Sequence, residues 1–231
     1  MERINEAIIL AGGFGTRLRS EIGDLPKPLA PVNDEPFLSH IFDFLIENNV
    51  ERVVLSLGFR WDLIVETYGD YYQDLELIYV VEEEPLGTGG GIRLALEQIN
   101  NDACFVLNGD TLFTIPLGDL ENLHLMNEAE CSVALKPMWE VERYGNVELH
   151  NDRIISFHEK SFREEALING GIYCLSKSAL DQFPAGSAFS FEKDYLEKQT
   201  DEKQIFGLSF DDYFIDIGIP EDYQKFIDDV S

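Results

Sequence analysis

Short apolar runs alternate with amphipathic stretches through the first half of the chain, and this alternation restricts the possible fold more than any other feature. Apolar runs of strand length cover residues 6–10, 52–57, 75–81 and 103–107. Helical spacing of apolar residues covers 37–49 and 61–68, and a further helix is predicted from Gly87 to about residue 99. Because parallel strands need helical crossovers, the pattern predicts an α/β fold with a mixed, mostly parallel central sheet flanked by helices.

The second half predicts strands joined by short connections. These strands cover residues 132–136, 145–149, 153–157, 167–175, 205–210 and 213–217, with a hairpin turn at 150–153. A helix is predicted over 191–198, and Pro220 begins a final helix. No linker, repeat or low-complexity segment interrupts the sequence. We therefore expect one domain over residues 1–231, with a small antiparallel addition to the sheet and no C-terminal β-helix.

The charge of the chain excludes several classes of partner. Seventeen Lys and Arg residues against 44 Asp and Glu residues give a formal net charge of −27. Such a field repels nucleic acid and anionic membranes, so we expect neither as a partner. A small phosphorylated ligand would need a local cationic pocket or metal ions. The acidic excess alternatively serves only solubility.

The sequence also predicts a cytoplasmic location. No apolar run reaches the ~18 residues of a membrane span, and the N-terminus lacks the basic region of a secretory signal. Three widely spaced cysteines, Cys104, Cys131 and Cys174, are typical of free buried thiols in a reducing compartment. The four histidines show no zinc-ligand spacing.

A glycine-rich loop follows the first predicted strand, in the sequence LAGGFGTRL over residues 10–18. Glycines let backbone N–H groups approach phosphate oxygens, and Arg17 supplies a cationic fork. Lys27 follows between two prolines, which hold it in an extended loop where its charge suits a phosphate. The alternative is a tight structural turn with a surface lysine. The glycine spacing fits neither the dinucleotide-binding fingerprint nor the Walker pattern.

Two aspartates are candidate metal ligands. Asp110 follows a predicted strand in the sequence Asn108-Gly109-Asp110, where ligands bind in open parallel sheets. Asp216 lies between apolar residues, so it needs a partner that a shared Mg²⁺ would supply. The alternatives are a turn or cap role for Asp110 and a hydrogen-bonded core role for Asp216.

Three further groups carry weaker indications. Glu159 and Lys160 follow a strand and, taken alone, are equally well a surface pair. The sequence Asn169-Gly170-Gly171 interrupts an apolar run, which indicates a bulge or the close approach of a ligand. Glu192 could accept a ligand hydroxyl, but a solvated helix charge is the preferred interpretation.

Taken together and in order, these motifs resemble the sugar-1-phosphate nucleotidyltransferase family over nearly the whole chain. The residues that carry the resemblance are those at 12–18, 26–28, 87–90, 108–110, 159–160, 169–171 and 216. Within the family, stretches at 83–90, 135–137, 143–145, 167–171 and 212–218 are most similar to D-glycero-α-D-manno-heptose 1-phosphate guanylyltransferases. Mannose-1-phosphate guanylyltransferases and uridylyltransferases share much of this pattern. The resemblance implies a single-domain, Rossmann-like (GT-A-like) fold.

The resemblance also implies a reaction and a role for each residue. GMP, or another nucleoside monophosphate, would pass from GTP, or another triphosphate, to a sugar 1-phosphate, with Mg²⁺ as cofactor. Catalytic roles are implied for Arg17, Lys27, Asp110 and Lys160, and metal binding for Asp110 and Asp216. Nucleotide binding is implied for Leu10, Ala11, Gly12, Gly13, Gly15, Thr16, Glu83, Glu84, Gly87, Thr88, Gly89, Asn108 and Gly109. Sugar-phosphate binding is implied for Gly145, Glu159, Lys160, Asn169 and Gly170.

Two glutamates are candidate contacts to the nucleotide base. Glu83 or Glu84 precedes the loop at Gly87, and a carboxylate there suits the donor edge of guanine; the alternative is two more surface acids. A glycosyltransferase would want Asp-x-Asp where Asn108-Gly109-Asp110 stands. A non-catalytic binding module would have lost a phosphate-holding cation or a metal carboxylate. Formation of a homo-oligomer stays open.

Overall fold

A computed structural model of the chain describes residues 3–13, 17–142, 144–158, 162–199 and 204–231. Within these ranges the strands are β1 (Glu6–Ala11), β2 (Pro31–Val32), β3 (Glu35–Pro36), β4 (Arg52–Leu57), β5 (Tyr71–Tyr72), β6 (Leu75–Val81), β7 (Ala103–Asn108), β8 (Thr111–Phe113), β9 (Cys131–Val141), β10 (Asn146–His150), β11 (Arg153–His158), β12 (Arg163–Ser176), β13 (Ile205–Ser209) and β14 (Phe214–Asp216). The α-helices are α1 (Arg19–Ile22), α2 (Phe37–Glu47), α3 (Trp61–Tyr68), α4 (Gly87–Ala95), α5 (Leu117–Met126), α6 (Glu197–Gln199) and α7 (Pro220–Asp229). Short 3₁₀ turns cover Lys27–Leu29 and Leu96–Gln98, and a π-helix covers Phe191–Leu196.

Ten strands form one sheet in the order β10-β11-β13-β9-β12-β7-β1-β4-β6-β5. The neighbours β7, β1, β4 and β6 run parallel to one another, and α2, α3 and α4 lie in the connections between them. The α/β character predicted for the first half is confirmed. The physical basis is that the chain passes from β1 to β4, from β4 to β6 and from β6 to β7 through connections that each contain a helix.

The sheet is mixed, as predicted, but it is not mostly parallel, because much of it is antiparallel. The long strand β12 pairs antiparallel with both β7 and β9, and β10 pairs antiparallel with β11 and β12. The strands of the second half follow one another through short connections, which favour antiparallel pairing. The antiparallel part is therefore not a small addition, because β12 joins it directly to the parallel block.

The core covers both faces of the sheet, since successive strand side chains point to opposite faces. On one face Ile9 of β1 packs in a cluster with Phe37 and Phe42 of α2. On the other face Ile8 of β1 belongs to a cluster with Ile92 of α4. This two-sided burial explains why the parallel strands have no polar alternation in the sequence.

The predicted hairpin turn at 150–153 is confirmed, whereas the helix predicted over 191–198 needs a correction. Asn151 and Asp152 both have positive φ, at 49° and 62°, as a two-residue hairpin turn requires. The segment predicted as a helix over 191–198 is a π-helix followed by the short α6. The predicted strand over 213–217 is β14, which pairs with β8 outside the main sheet.

Among the described residues no helix is both long enough and apolar enough to span a membrane.

Candidate active site

A cavity of about 580 Å³ opens along the carboxyl ends of the parallel strands. Ligands of open α/β sheets bind at this edge, outside the ends of the strands. Twelve residues that the sequence analysis proposed for binding or catalysis line it: Leu10, Ala11, Gly12, Gly13, Arg17, Lys27, Gly87, Thr88, Asn108, Gly109, Asp110 and Asp216. The lining also includes Pro28, Ser56, Glu82, Pro85, Thr111, Tyr173, Phe191 and Glu192.

The turns after β1 and β7 pack closely because glycine occupies the contact point. The backbone N–H of Gly109 donates a hydrogen bond to the carbonyl oxygen of Leu10 at 2.9 Å. A Cβ atom at position 109 would lie 2.6 Å from that same oxygen. Only a residue without a side chain fits there, so Gly109 holds the turn carrying Asp110 against the end of β1.

Lys27 and Asp110 form an ion pair inside the cavity. Lys27 begins the 3₁₀ turn after Pro26, and its Nζ donates to Oδ2 of Asp110 at 2.7 Å. The two side chains are 13% and 33% exposed, so solvent screens the pair only in part. The 3₁₀ turn thus places the ammonium of Lys27 at the carboxyl end of β7, beside Asp110.

Asp216 reaches the same part of the cavity through the small sheet. Pairing of β14 with β8 sets Asp216 opposite Thr111, and the N–H of Ile217 donates to the carbonyl oxygen of Asp110 at 3.0 Å. The carboxylate of Asp216 accepts a hydrogen bond from the N–H of Gly218 at 2.8 Å and from the hydroxyl of Tyr144 at 3.4 Å. Two residues more than a hundred positions apart in sequence are therefore neighbours.

The pair Asp110 and Asp216 fits a hard divalent cation. Magnesium takes one or two protein carboxylates and completes its octahedron with waters and substrate phosphates. Both carboxylates line a cavity that also contains Lys27 and Arg17, which suit phosphate oxygens. Among the described residues no cluster of three or more His, Cys, Asp or Glu side chains has metal-binding geometry. A cation held here would accordingly depend on ligands from the substrate.

Glu82 is the carboxylate at the β6 end of the cavity. It follows the last residue of β6, and its Oε2 accepts a hydrogen bond from the N–H of Leu86 at 2.8 Å. Its Oε1 accepts a weaker one from Ser56 Oγ at 3.3 Å. Glu83 and Glu84, which the sequence analysis offered as base contacts, are exposed and do not line the cavity.

A polar network closes the other end of the cavity beside β12. The amide of Asn169 donates to the hydroxyl of Tyr173 at 2.8 Å and to Oε1 of Glu192 at 3.3 Å. Its carbonyl oxygen accepts from the N–H of Gly171 at 3.0 Å, where φ is 75°. Burial, followed by the nearby Glu192 carboxylate, raises the pKa of Tyr173 well above its usual 10, so the phenol stays a donor.

The remaining predicted site residues divide into two groups. Gly89, Gly145, Asn169 and Gly170 lie in the described structure but do not contribute to the cavity lining. Asn169 still reaches the site, through its bonds to Tyr173 and Glu192. Gly15, Thr16, Glu159 and Lys160 lie outside the described residues.

Sequence reasoning missed the lining residues Ser56, Glu82, Tyr173 and Phe191, and for Glu192, which also lines the cavity, it preferred a solvated helix charge over a ligand contact. The rule that singled out residues 108–110, namely position at the carboxyl end of a parallel strand, applies equally to Ser56 and Glu82. It could therefore have found these two. Glu192 lies beside a strand far away in sequence, and no local pattern indicates that contact.

Comparisons with known proteins point to one family. A family model described as nucleotidyl transferase matches residues 6–231. D-glycero-alpha-D-manno-heptose 1-phosphate guanylyltransferase of Aneurinibacillus thermoaerophilus is 44% identical over 95% of this chain and 96% of its own. The enzyme of that name from Campylobacter jejuni is 45% identical over 96% of this chain and 98% of its own. The crystal structure of HddC from Yersinia pseudotuberculosis, complexed with GMP-PN, superposes with a TM-score of 0.86 at 33% identity, covering 99% of this chain and 100% of that one.

Proposed function

The chain belongs to the nucleotidyl transferase family, and on that premise we propose that it transfers GMP from GTP to D-glycero-α-D-manno-heptose 1-phosphate, releasing pyrophosphate. The two heptose 1-phosphate guanylyltransferases match 95% and 96% of this chain, and the family model matches residues 6–231. The proposal therefore treats residues 6–231 as one catalytic domain. The observation that carries it is one cavity lined by a glycine turn, by the cations Arg17 and Lys27 and by the carboxylates of Asp110 and Asp216.

The order of strands arranges the cavity for a nucleotide and a sugar phosphate. Asp110 follows β7, Gly12 follows β1 and Glu82 follows β6, which lies three strands from β7. Neighbouring strands are ~4.8 Å apart, so β6 and β7 are separated by about 14 Å. Tyr173 of β12 lies on the other side of β7. We accordingly assign the base to the β6 end, the phosphates to β1 and β7, and the sugar to the β12 end.

The reaction needs positioning and charge neutralisation more than it needs a base. An oxygen of the sugar 1-phosphate attacks the α-phosphorus of GTP, forming a new P–O bond. The bond from the α-phosphorus to the bridging oxygen breaks in line, and pyrophosphate carries away the electron pair. The attacking phosphate is already an anion, so no residue has to remove a proton. Arg17 and Lys27 would hold the triphosphate and the departing pyrophosphate.

We propose Mg²⁺ as the cation held by Asp110 and Asp216. The bound ion would supply neutralisation of the negative charge on the reacting phosphates. The cavity needs such help because, among its described lining residues, four carboxylates stand against two cations. The carboxylates are Glu82, Asp110, Glu192 and Asp216, and the cations are Arg17 and Lys27.

We propose Glu82 as the residue that selects guanine. Ionised carboxylates accept about four hydrogen bonds, and two of these positions are occupied by Leu86 N–H and Ser56 Oγ. The remaining acceptor positions suit the N1–H and N2–H₂ donors of guanine. Uracil and thymine present an acceptor beside their one donor, so a carboxylate repels part of their edge.

The substrate assignment is tested by pyrophosphate release with Mg²⁺, crossing GTP, ATP, CTP, UTP and dTTP with heptose, mannose, glucose and N-acetylglucosamine 1-phosphates. We expect release with GTP and the heptose phosphate. Release with mannose 1-phosphate or UTP instead would keep the reaction and contradict the substrate. No release by folded protein, with coupling enzymes that respond to added pyrophosphate, would contradict catalysis and favour a binding module.

The base assignment is tested by Glu82→Gln, with Glu83→Gln and Glu84→Gln as matched controls. Losing charged hydrogen bonds to guanine costs about 1.5–3 kcal/mol, or a roughly 10–150-fold lower kcat/KM for GTP. The two control variants should match the wild type, since their side chains lie outside the cavity. If kcat/KM for GTP fell only in Glu83→Gln or only in Glu84→Gln, that exposed glutamate and not Glu82 would be the residue that recognises the base.

A cytoplasmic location is part of the proposal, since GTP is supplied there. The three cysteines support it, because Cys104, Cys131 and Cys174 are all free and buried. Free thiols persist in a reducing compartment.

A further inference from the structure

The loop at the nucleotide end of the cavity is hydrogen-bonded to the segment that carries Glu192. The N–H of Phe189 donates to the carbonyl oxygen of Leu86 at 2.9 Å, and the N–H of Gly89 donates to the carbonyl oxygen of Phe189 at 3.0 Å. Gly87 has φ of 70°, and a Cβ there would lie 2.7 Å from the oxygen of Phe189. The two backbones therefore approach as closely as glycine allows.

Thr88 adds a side-chain bond to this backbone pairing. Its Oγ1 accepts a hydrogen bond from the N–H of Phe191 at 3.0 Å. Phe191 is the first residue of the π-helix, and N–H groups in the first turn of a helix have no partner within it. Another such N–H, that of Lys193, donates to Ser190 Oγ at 3.2 Å. Thr88 thus satisfies a donor that lies more than a hundred positions away in the chain.

The residue after Phe191 is Glu192, whose carboxylate lines the cavity and accepts from Asn169. Phe191 itself is buried, with its ring edge-on to Tyr173 at 5.1 Å and stacked on Tyr195 at 5.2 Å. Phe191 is therefore held through its ring by the core and through its N–H by Thr88. The direction in which Glu192 leaves the helix depends on both anchors.

We propose that Thr88 is a positioning residue for the sugar substrate, acting through Phe191 on Glu192 rather than through the nucleotide alone. This inference rests on the proposed function, in which the sugar lies at the β12 end of the cavity, where Glu192 lines it and accepts from Asn169 of β12. The Thr88 hydroxyl can accept from Phe191 and still donate its own proton. The loop that receives the nucleotide and the helix that faces the sugar then form one hydrogen-bonded unit.

The test is a double-mutant cycle with Thr88→Val, which removes the acceptor but keeps the shape, and Glu192→Gln. The hydrogen bond from Phe191 N–H to Thr88 is part-buried, and we expect its loss in Thr88→Val to raise the KM for sugar 1-phosphate roughly tenfold, which corresponds to about 1.4 kcal/mol. The KM for GTP should rise clearly less than the KM for sugar 1-phosphate, and Thr88→Ser, which keeps the hydroxyl, should restore both values. In the Glu192→Gln background the Thr88→Val effect should disappear, because both act through one contact.

Three results would overturn the inference. These are additive effects of the two substitutions, an equal rise in both KM values, and a Thr88→Val protein with unchanged kinetics. Thermal unfolding of each variant shows whether it folds, and Thr88→Ala replaces Thr88→Val in the cycle if the latter does not. If the wild type releases no pyrophosphate, the proposed function fails separately. The same cycle is then measured calorimetrically as binding of sugar 1-phosphate, where non-additive losses support the coupling, and additive losses or absent binding overturn it.

Discussion

Lys27→Met should change metal binding and catalysis in opposite directions. The Lys27 ammonium is the counter-ion of Asp110, at 2.7 Å. A divalent cation held by Asp110 would compete with this ammonium, and Lys27 would then be available to the triphosphate. Methionine keeps most of the side-chain stem and removes the charge, so it separates the electrostatic role from packing.

The magnitudes follow from the partial exposure of the pair. With side chains 13% and 33% exposed, the ion pair lies between a surface pair and a buried one, and its loss should cost about 1 kcal/mol of unfolding free energy. Removing the competing ammonium should strengthen Mn²⁺ binding by a similar amount, about fivefold. Removing the contact to the triphosphate should cost about 2–3 kcal/mol, or a roughly 30–150-fold lower kcat/KM for GTP.

The assay pairs Mn²⁺ titration of the ligand-free protein, followed by the electron paramagnetic resonance of free Mn²⁺, with steady-state kinetics in GTP. Lys136→Met is the matched control. Lys136 is 15% exposed and pairs with Asp211 at 2.8 Å, outside the cavity. Because Asp211 is 83% exposed, this control should lose less stability than Lys27→Met, and it should keep wild-type metal binding and kinetics. Weaker Mn²⁺ binding by Lys27→Met, or an unchanged kcat/KM for GTP, would refute the reasoning.

Three further outcomes can be checked on the same protein. Gly109→Ala would bring a Cβ to 2.6 Å from the Leu10 oxygen, so urea unfolding should show a loss of about 1–3 kcal/mol and turnover should fall as Asp110 moves. Burial lowers the pKa of His124 to about 4, so protonation favours the unfolded chain, and stability is lost as pH falls from 6.5 towards 4. Between pH 7.5 and 4.5 the wild type should lose about 2.5 kcal/mol more than His124→Gln, measured by urea unfolding; equal losses would contradict this. Burial raises the pKa of all three thiols, so a chromogenic disulfide reagent should react only after unfolding in guanidinium, and reaction of the native protein would contradict their burial.

The phosphate side of the site was predictable because its signals are local. An apolar run that ends in glycines gives a buried strand with an open turn at its end, as β1 and Gly12 show. Asp216 was predictable for a different reason, since a carboxylate between two buried apolar residues needs a partner. The extent of the antiparallel part was not predictable, because the 14-residue strand β12 pairs with both β7 and β9 and no local pattern gives such pairing.

The choice among three successive glutamates shows where sequence reasoning stops. Glu82, Glu83 and Glu84 are chemically identical, so composition cannot rank them. Their difference comes from register: Val81 pairs with Leu57, and the N–H of Glu82 donates to the carbonyl oxygen of Leu57 at 2.9 Å. That bond keeps Glu82 at the carboxyl end of β6, beside the cavity, whereas Glu83 and Glu84 are exposed.

The site's position follows from the order in which the chain builds the sheet. From β1 the chain adds β4 and then β6 on one side, and it returns to place β7 on the other. The connections after β1 and β7 therefore depart in different directions and leave a crevice between the two strand ends. The glycine turn and Asp110 lie at that crevice, and the long excursion between β1 and β4 supplies Lys27 to it. Chemistry common to phosphate transfer can thus be recognised from strand ends and glycines. The residues that would choose base and sugar, Glu82 and Glu192, lie away from the crevice, where register and long-range contacts decide which side chain faces the substrate.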